Sequence, residues 1–300
     1  MSPILAVDLG GTRTRAALVH RDGGILLRKA EPTPRDSPCP DALIMLVGGI
    51  LEGADVEEAV IGVPGRVDYR SGTLEYAPNL PPGWAASLTE GNLTTILGVR
   101  VSLANDADLA AVGECRFGAG RGHADVVYIT ISTGIGAGVL LGGRLAHGRC
   151  SLAEAGHTVI DRTALAPSAA ATLEGQGSGT ALLRLAGEAG LDSPGTELVE
   201  LVEADDPTAI RIWGSVVEAA GIGVANLAHL FSPEIVVVGG GVARAGELLL
   251  GPIRTALARL GPRGLPSPIE VVRAALGDDA GLVGAAGWSD AFIREAASRV

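Results

Sequence analysis

Ile4-Leu5-Ala6-Val7-Asp8-Leu9-Gly10-Gly11-Thr12-Arg13-Thr14-Arg15 is the stretch from which the rest of the chain is read. An apolar run ending in an acid and two glycines predicts a buried strand entering a tight turn. A carboxylate at a strand end can hold a hydrated Mg²⁺. Gly10 and Gly11 carry no Cβ, so their backbone N–H groups can approach an anion closely, and Thr12 adds a hydroxyl donor. The combination suits the phosphates of a nucleotide. Gly-Gly after a strand is equally an ordinary hairpin turn, and this stretch alone leaves both readings open.

Outward from it, the pattern predicts strands near 4–8, 14–20 and 24–30, the last two joined by the turn Arg21-Asp22-Gly23-Gly24. Asp41 to Leu51 reads as a helix, capped by Asp41 and closed by Gly53. Val60 to Val63 is a strand running into Pro64-Gly65, and Ala77 to Trp84 is too broken for regular structure. Val99 to Ala104 is a strand ending at Asn105-Asp106, before a helix from Ala107 to about Cys115. The pattern then restarts: strand Val126 to Ser132, turn Thr133-Gly134-Ile135-Gly136, strand Ala137 to Leu141 and turn Gly142-Gly143. After Ser178 the chain reads as mainly helical, interrupted by the strand Ile235 to Val238 and Gly239-Gly240-Gly241. Two hairpin-then-helix segments point to two similar α/β domains.

Three hundred residues suffice for two such cores, and with aromatics at 3% those cores must rest on Val, Leu, Ile and Ala. The net charge of −11 leaves no basic stripe for nucleic acid. Cys39, Cys115 and Cys150 are widely spaced and form no CxxC pair, which fits reduced thiols and a cytoplasmic location. The first apolar run stops at Asp8, too short for a secretory signal. Val216 to Phe231 is apolar but holds Glu218, Asn226 and His229, so it is expected as a buried helix and no membrane partner is expected.

Thr133-Gly134-Ile135-Gly136-Ala137-Gly138 is a literal GxGxG, yet Val139-Leu140-Leu141 continues as strand where a dinucleotide fingerprint would open a helix. It reads as a second phosphate-gripping hairpin or a structural one. Gly240 and Gly241, before a helical stretch, would admit a base or ribose, or allow tight helix–sheet packing. Asp106 is placed to accept a proton from a bound hydroxyl while Asn105 orients it; alternatively Asp106 only caps its helix. Glu154, His157 and Glu174 interrupt Gly/Ala-rich surroundings and suit vicinal sugar hydroxyls, with Asn79 adding an amide. Singly, each has a plainer reading as surface charge or core histidine.

Taken in order, DxGGTxxR (8–15), Gly-Val-Pro-Gly (62–65), Pro-Asn-Leu with a following Trp (78–84), Asn-Asp-Ala (105–107) and Thr-Gly-Ile-Gly-Ala-Gly (133–138) resemble the ROK family of bacterial glucokinases, related sugar kinases and transcriptional repressors. Glu-x-Gly-His (154–157), Leu-Glu-x-x-x-Ser-Gly (173–179), Pro-Glu-Ile-Val-Val-Val-Gly-Gly-Gly-Val (233–242) and Gly-Asp-x-Ala-Gly-Leu-x-Gly-Ala-Ala (277–286) extend the likeness over the whole chain. The resemblance implies an actin-like ATPase (ribonuclease-H-like) fold, with two α/β domains around a central cleft. Their expected extents are 1–106 plus 287–300, and 107–286.

It further implies transfer of the γ-phosphoryl of Mg·ATP to a sugar hydroxyl, foremost glucose O6, with Asp106 as base. Gly65, Asn79, Asn105, Asp106, Glu154, His157 and Glu174 correspond to sugar ligands. Gly10, Gly11, Thr12, Thr133 and Gly134 correspond to phosphate contacts, Gly240 and Gly241 lie near the adenosine, and Asp8 holds Mg²⁺ through water. A homodimer or homotetramer is expected. Alternatives are a kinase for kanosamine, N-acetylmannosamine, mannose, allose or fructose, polyphosphate as donor, or a non-catalytic sugar-sensing regulator; the last would need a DNA-binding segment before the DxGGT strand, where only Met1-Ser2-Pro3 stand.

One departure stands out. Many ROK members hold a structural zinc through the GH histidine and three cysteines. The corresponding positions here are Leu165, Pro167 and Thr172, so no structural zinc site is expected and the 163–177 loop must be ordered by something else.

Overall fold

Residues 2–35, 39–51, 53–152, 154–162, 169–191 and 195–291 are described in a computed structural model of the chain. Its contacts divide the chain into two compact units, one of 1–124, 138–152 and 278–300, the other of 125–137 and 153–277. The helix after Asn105 lies in the first unit, whereas the sequence reading assigns it to the second domain.

In the first unit, β1 (Ile4–Leu9), β2 (Arg13–Val19), β3 (Ile25–Pro32), β4 (Glu58–Val63) and β7 (Arg100–Asn105) form one sheet in the order β3-β2-β1-β4-β7. The first three strands are an antiparallel meander, and β4 and β7 join parallel to β1. A hairpin of β5 (Arg66–Asp68) and β6 (Thr73–Tyr76) follows β4. The helices of this unit are α1 (Cys39–Leu51), α2 (Trp84–Ser87), α3 (Glu90–Leu97), α4 (Asp106–Phe117) and a late-returning one, Ala280–Ala291. Because β1, β4 and β7 are parallel, their C-terminal ends bring Asp8, the Pro64-Gly65 turn and Asn105-Asp106 to one edge of the sheet, where open α/β sheets bind ligands.

β4 begins at Glu58, ahead of the expected Val60, because its first residue is a buried acid that no apolar pattern marks. Glu58 is 3% exposed and accepts from Arg21, Arg100 (3.2 Å) and the Ser289 hydroxyl (2.7 Å). α1 starts at Cys39, ahead of the expected cap Asp41.

In the second unit, β8 (Val126–Ile131), β11 (Ile235–Gly239) and β12 (Glu270–Arg273) are parallel. β9 (Ile135–Leu141) starts here and leaves the unit at Gly138; its far end pairs with β10 (Arg144–Leu145) in the first unit. The helices are α5 (Leu173–Gly177), α6 (Gly179–Glu188), α7 (Gly195–Glu203), α8 (Pro207–Phe231) and α9 (Glu247–Leu260). The returning helix Ala280–Ala291 is α10. Among the described residues α8 is the one helix long and apolar enough to cross a membrane, and 56% of its most apolar window is buried. It buries Trp213, Val216, Val217 and Val224 and is capped by Asp206, the pattern of a core helix.

α4 and α10 touch backbone to backbone. A Cβ on Gly284 would collide with the Leu109 carbonyl, and one on Gly113 with the Ala280 carbonyl. This crossing fixes the axis of α4, and with it the direction in which its first residue points.

Candidate active site

The first cluster of predicted residues starts from a hairpin register. β1 and β2 pair so that Arg15 lies directly across from Asp8. Arg15 donates from Nε (3.1 Å) and from a terminal nitrogen to the same Asp8 oxygen, Oδ2, and its other nitrogen reaches the Asp278 carbonyl at 2.5 Å. Burial pushes the Asp8 carboxyl above its usual range, while Arg15 opposes that shift. Sequence reasoning gave Arg15 no role; the signal was the fixed seven-residue offset that a tight D-x-G-G-T hairpin imposes.

Gly10 has its N–H occupied, donating to the Arg13 carbonyl at 3.1 Å to close the hairpin. The expected phosphate contact at Gly10 is therefore already taken by the turn. Gly11 lies against Asn79, whose carbonyl would be 2.6 Å from an added Cβ. Thr12 and Asn79 are both exposed, so these expected ligands sit side by side.

At the end of β7 the two readings of Asp106 separate. The helix cap is Asn105: its Oδ1 accepts from Ala107 N–H (2.8 Å) and Asp108 N–H (3.2 Å). Its Nδ2 donates to the Gly65 carbonyl at 2.9 Å, across a turn in which Gly65 takes φ 128°, a conformation open to glycine. The Asn105 side chain, expected as a sugar ligand, is thus largely spent on the corner itself, and the residue is 4% exposed. Asp106 is the first helical residue and is exposed; one oxygen accepts from Ala107 N–H at 2.9 Å. Crowding by the surrounding protein, then the negative charge of Asp8, push its pKa up to about 7.

The negative charge of Asp8 that raises Asp106 is what a hydrated cation beside Asp8 would relieve. Asp8 offers it Oδ1, since Arg15 engages Oδ2. Among the described residues no three His, Cys, Asp or Glu side chains converge, so the donor set fits Mg²⁺ held through water and phosphate rather than a protein cage.

The second cluster forms at the C-terminal ends of β8 and β11, where the Ser132–Gly134 turn and Gly240-Gly241 follow adjacent strands. Gly240 has φ 87° and its α-carbon lies against the Ile131 backbone; Gly241 faces Ser132. The N-terminus of α6 secures the turn: Gly179 N–H donates to the Ser132 carbonyl (2.7 Å) and the Thr180 hydroxyl to the Thr133 carbonyl (2.7 Å). Glu174 reaches the same turn. Its Oε2 accepts from Ile135 N–H at 2.8 Å and fills the space a Gly134 Cβ would need. Glu154 and His157 lie on a 3-10 turn, Glu154–His157, whose Gly156 packs on the Ile135 carbonyl and the Glu174 side chain. The His157 Nε2 is 3.2 Å from the Glu154 carboxylate. Thr133, Gly134, Glu154, His157 and Glu174 are therefore brought together.

The zinc question is one of residue chemistry. Leu165 and Pro167 lie outside the described residues. Thr172 caps α5, its hydroxyl accepting from Gly175 N–H at 3.1 Å. Backbone bonds Ile160 N–H to Ala171 O (2.9 Å) and Leu173 N–H to Thr158 O (2.9 Å), with the Gln176 amide on the Ala170 carbonyl (2.8 Å), pin the segment that carries Glu174. A threonine hydroxyl engaged in a cap does not fit a tetrahedral thiolate site.

Two units, each a strand-turn-strand sheet with helices and each ending its parallel strands in glycine-rich turns, define an actin-like ATPase fold. A ROK glucokinase from Streptomyces griseus, solved with glucose and AMPPNP, is similar with a TM-score of 0.79 and 37% identity, over 95% of this chain and 98% of that one. The ROK hexokinase of Thermus thermophilus gives a TM-score of 0.81 at 33% identity, over 95% and 96% of the two chains. In sequence, the glucokinase of Thermotoga maritima is 36% identical over 94% of this chain and 96% of its own length. The family model described as ROK matches residues 4–291, and the chain belongs to the ROK family.

Proposed function

We propose that the chain is an ATP-dependent hexokinase that moves the γ-phosphoryl of Mg·ATP to a sugar hydroxyl, with glucose O6 the best-supported acceptor. The observation that carries this reading is the division of labour at the end of β7. Asn105 caps α4, so Asp106 commits one oxygen to Ala107 N–H and keeps the other for a substrate proton, at the exposed helix start and with a pKa of about 7, near the optimum for a general base. The similarity to glucokinases over almost the whole chain supports the same class.

In this reading Asp106 takes the proton of the attacking hydroxyl as its oxygen bonds to the γ-phosphorus and the bond to the β-phosphate oxygen breaks, releasing ADP. Phosphoryl transfer of this kind asks chiefly for positioning and charge stabilisation. Asn105 and Gly65 aim Asp106, while Asn79, Glu154, His157 and Glu174 accept or donate to sugar hydroxyls. Thr12, Thr133 and the amides of Gly11 and Gly134 face the polyphosphate, and Gly240 and Gly241 face the adenosine. Asp8, oriented by Arg15, would hold Mg²⁺ through water, and that ion would neutralise charge on the phosphates. The enzyme is taken to act in the cytoplasm as a homodimer or homotetramer.

ADP release measured across glucose, mannose, allose, fructose, kanosamine and N-acetylmannosamine tests the reading, with polyphosphate as a second donor. Glucose with ATP is expected to give the highest kcat/KM, and Asp106→Asn to lower kcat by about 10² to 10⁴ while sugar still binds. A higher kcat/KM for an amino sugar would replace glucose as acceptor. ADP release absent with every sugar, while sugars still bind, would turn the reading to a regulator.

A further inference from the structure

Below the Asn105-Asp106 corner lies a buried polar pair that the mechanism above does not use. Tyr69, just after β5, is 1% exposed, and Asp108, in the first turn of α4, is 0% exposed. The Tyr69 hydroxyl donates to Asp108 Oδ2 at 2.6 Å, and the phenol oxygen in turn accepts the Asn105 N–H at 3.1 Å. Ser151 also bonds the phenol, the ring meets His147 edge-on at 5.4 Å, and Trp288 lies 6.0 Å away. The Tyr69 backbone is tied as well, its N–H donating to the Arg149 carbonyl at 3.2 Å. Burial and the adjacent Asp108 raise the phenol's pKa well above its ordinary value, so it remains a donor.

A fully buried carboxylate is costly unless it is hydrogen-bonded. Here the phenol and the N-terminal end of α4 offset that cost. What the arrangement secures is the Asn105 backbone. Tyr69 holds its N–H from below, Gly65 holds its side-chain amide, and the N–H groups of Ala107 and Asp108 hold its Oδ1. Within the run Asn105 to Asp108, only the Asp106 residue is exposed. Asp8, held by Arg15, and Asp108 are the charged groups that act on it.

We infer that Tyr69 and Asp108 are positioning residues that lock the Asn105 backbone and thereby aim Asp106 at the acceptor hydroxyl. The inference rests on Asp106 being the base. Removing the phenol oxygen would leave Asn105 N–H and the Asp108 carboxylate without this partner and free the corner to rotate, and misplacement of about 1 Å can cost about 10²-fold in rate.

The test compares purified full-length variants by kcat, both KM values and melting temperature. Asp108→Ala removes the acceptor that holds the phenol and is expected to lower kcat at least about tenfold with both KM values within about twofold, a loss that Asp108→Asn, which keeps an acceptor, is expected to rescue in large part. Tyr69→Phe is expected to lower kcat at least about tenfold with both KM values within about twofold. Where the stranded carboxylate prevents folding, Tyr69→Phe/Asp108→Asn removes the charge and is expected to show the same loss. Trp288→Phe, which loosens the packing of the ring but leaves its hydrogen bonds, serves as the packing control and is expected to keep kcat. A double variant with kcat within twofold of wild type, or a Trp288→Phe loss equal to it, overturns the inference. Asp106→Asn separates the two levels: full turnover there removes the base itself, whereas an inactive Asp106→Asn beside a fully active double variant removes only the positioning role.

Discussion

The Asn105-Asp106 corner of the first unit and the Thr133-Gly134 turn of the second both follow a buried strand, yet different bonds hold them. At the corner, groups from three separate segments converge on one asparagine, and the bonds to its N–H and Oδ1 are buried. At the turn, α6 and α5 supply the ties: backbone, a threonine hydroxyl and the Glu174 carboxylate. The acid at the corner is aimed by groups that are themselves held on several sides. The carboxylates at the turn are partly exposed, and one of them, Glu174, is both a tie and an expected ligand. Proton transfer demands the first kind of precision; recognition of a sugar tolerates the second.

Removing one cap from each region tests this difference most sharply. Asn105→Ala is expected to cost about 1 kcal/mol of stability and to lower kcat by about 10-fold to 100-fold, with sugar KM little changed. Thr172→Ala removes the cap of α5 at a similar cost of about 1 kcal/mol, but acts through Glu174, so sugar KM rises severalfold while kcat holds. Steady-state kinetics with stability measured in parallel checks both. A matching kcat loss in the two variants would erase the distinction drawn here.

The acid limb of the rate comes next in size. Asp106 acts as a base only when ionised, so kcat/KM is expected to fall about tenfold per pH unit below a midpoint near its pKa of about 7. A profile flat down to about pH 5 would mean that the group is not raised, or not the base. Smaller still is the response to metal chelation in the second region. With hydrogen bonds rather than thiolates pinning 158–161 to 171–173, a strong chelator is expected to leave the melting temperature of the unliganded enzyme unchanged. Stoichiometric zinc in the purified protein would contradict that account.

What was legible in the sequence follows the same division. The β1–β2–β3 meander and the buried strands β4, β7, β8, β9 and β11 announced themselves through apolar runs and glycine turns, whereas the short β5–β6 hairpin did not, and the strand ends carried the glycines and acids that gather at each cluster. The tertiary partners did not. Arg15 and Glu58 look like ordinary charges until register and burial are known, and β4 reads short because it opens on that buried acid. Strand β12 was missed, being four residues with one buried valine, paired only to β11. Tyr69 and Asp108, thirty-nine positions apart, gave no local signal of meeting. Asn105 and Asp106 were both marked, but which one caps α4 depends on where the helix begins, and sequence boundaries blur by a residue or two.

A further effect bears on what the corner costs the fold. A carboxyl whose pKa lies above its usual 3.8 in the native state binds more protons there than in the unfolded chain between that value and about 7. Stability therefore falls as pH rises through this window, and above it the penalty is complete. Asp106→Asn removes the penalty, so the inactive variant is expected to melt above wild type at about pH 8. Because the residue is exposed, the gain is modest, about 2–4 °C, and it should vanish near pH 4 where the native carboxyl is neutral. A difference in melting temperature that stays constant from about pH 4 to about pH 8 would show that the asparagine acts through packing, and that Asp106 carries no charge strain for catalysis to use.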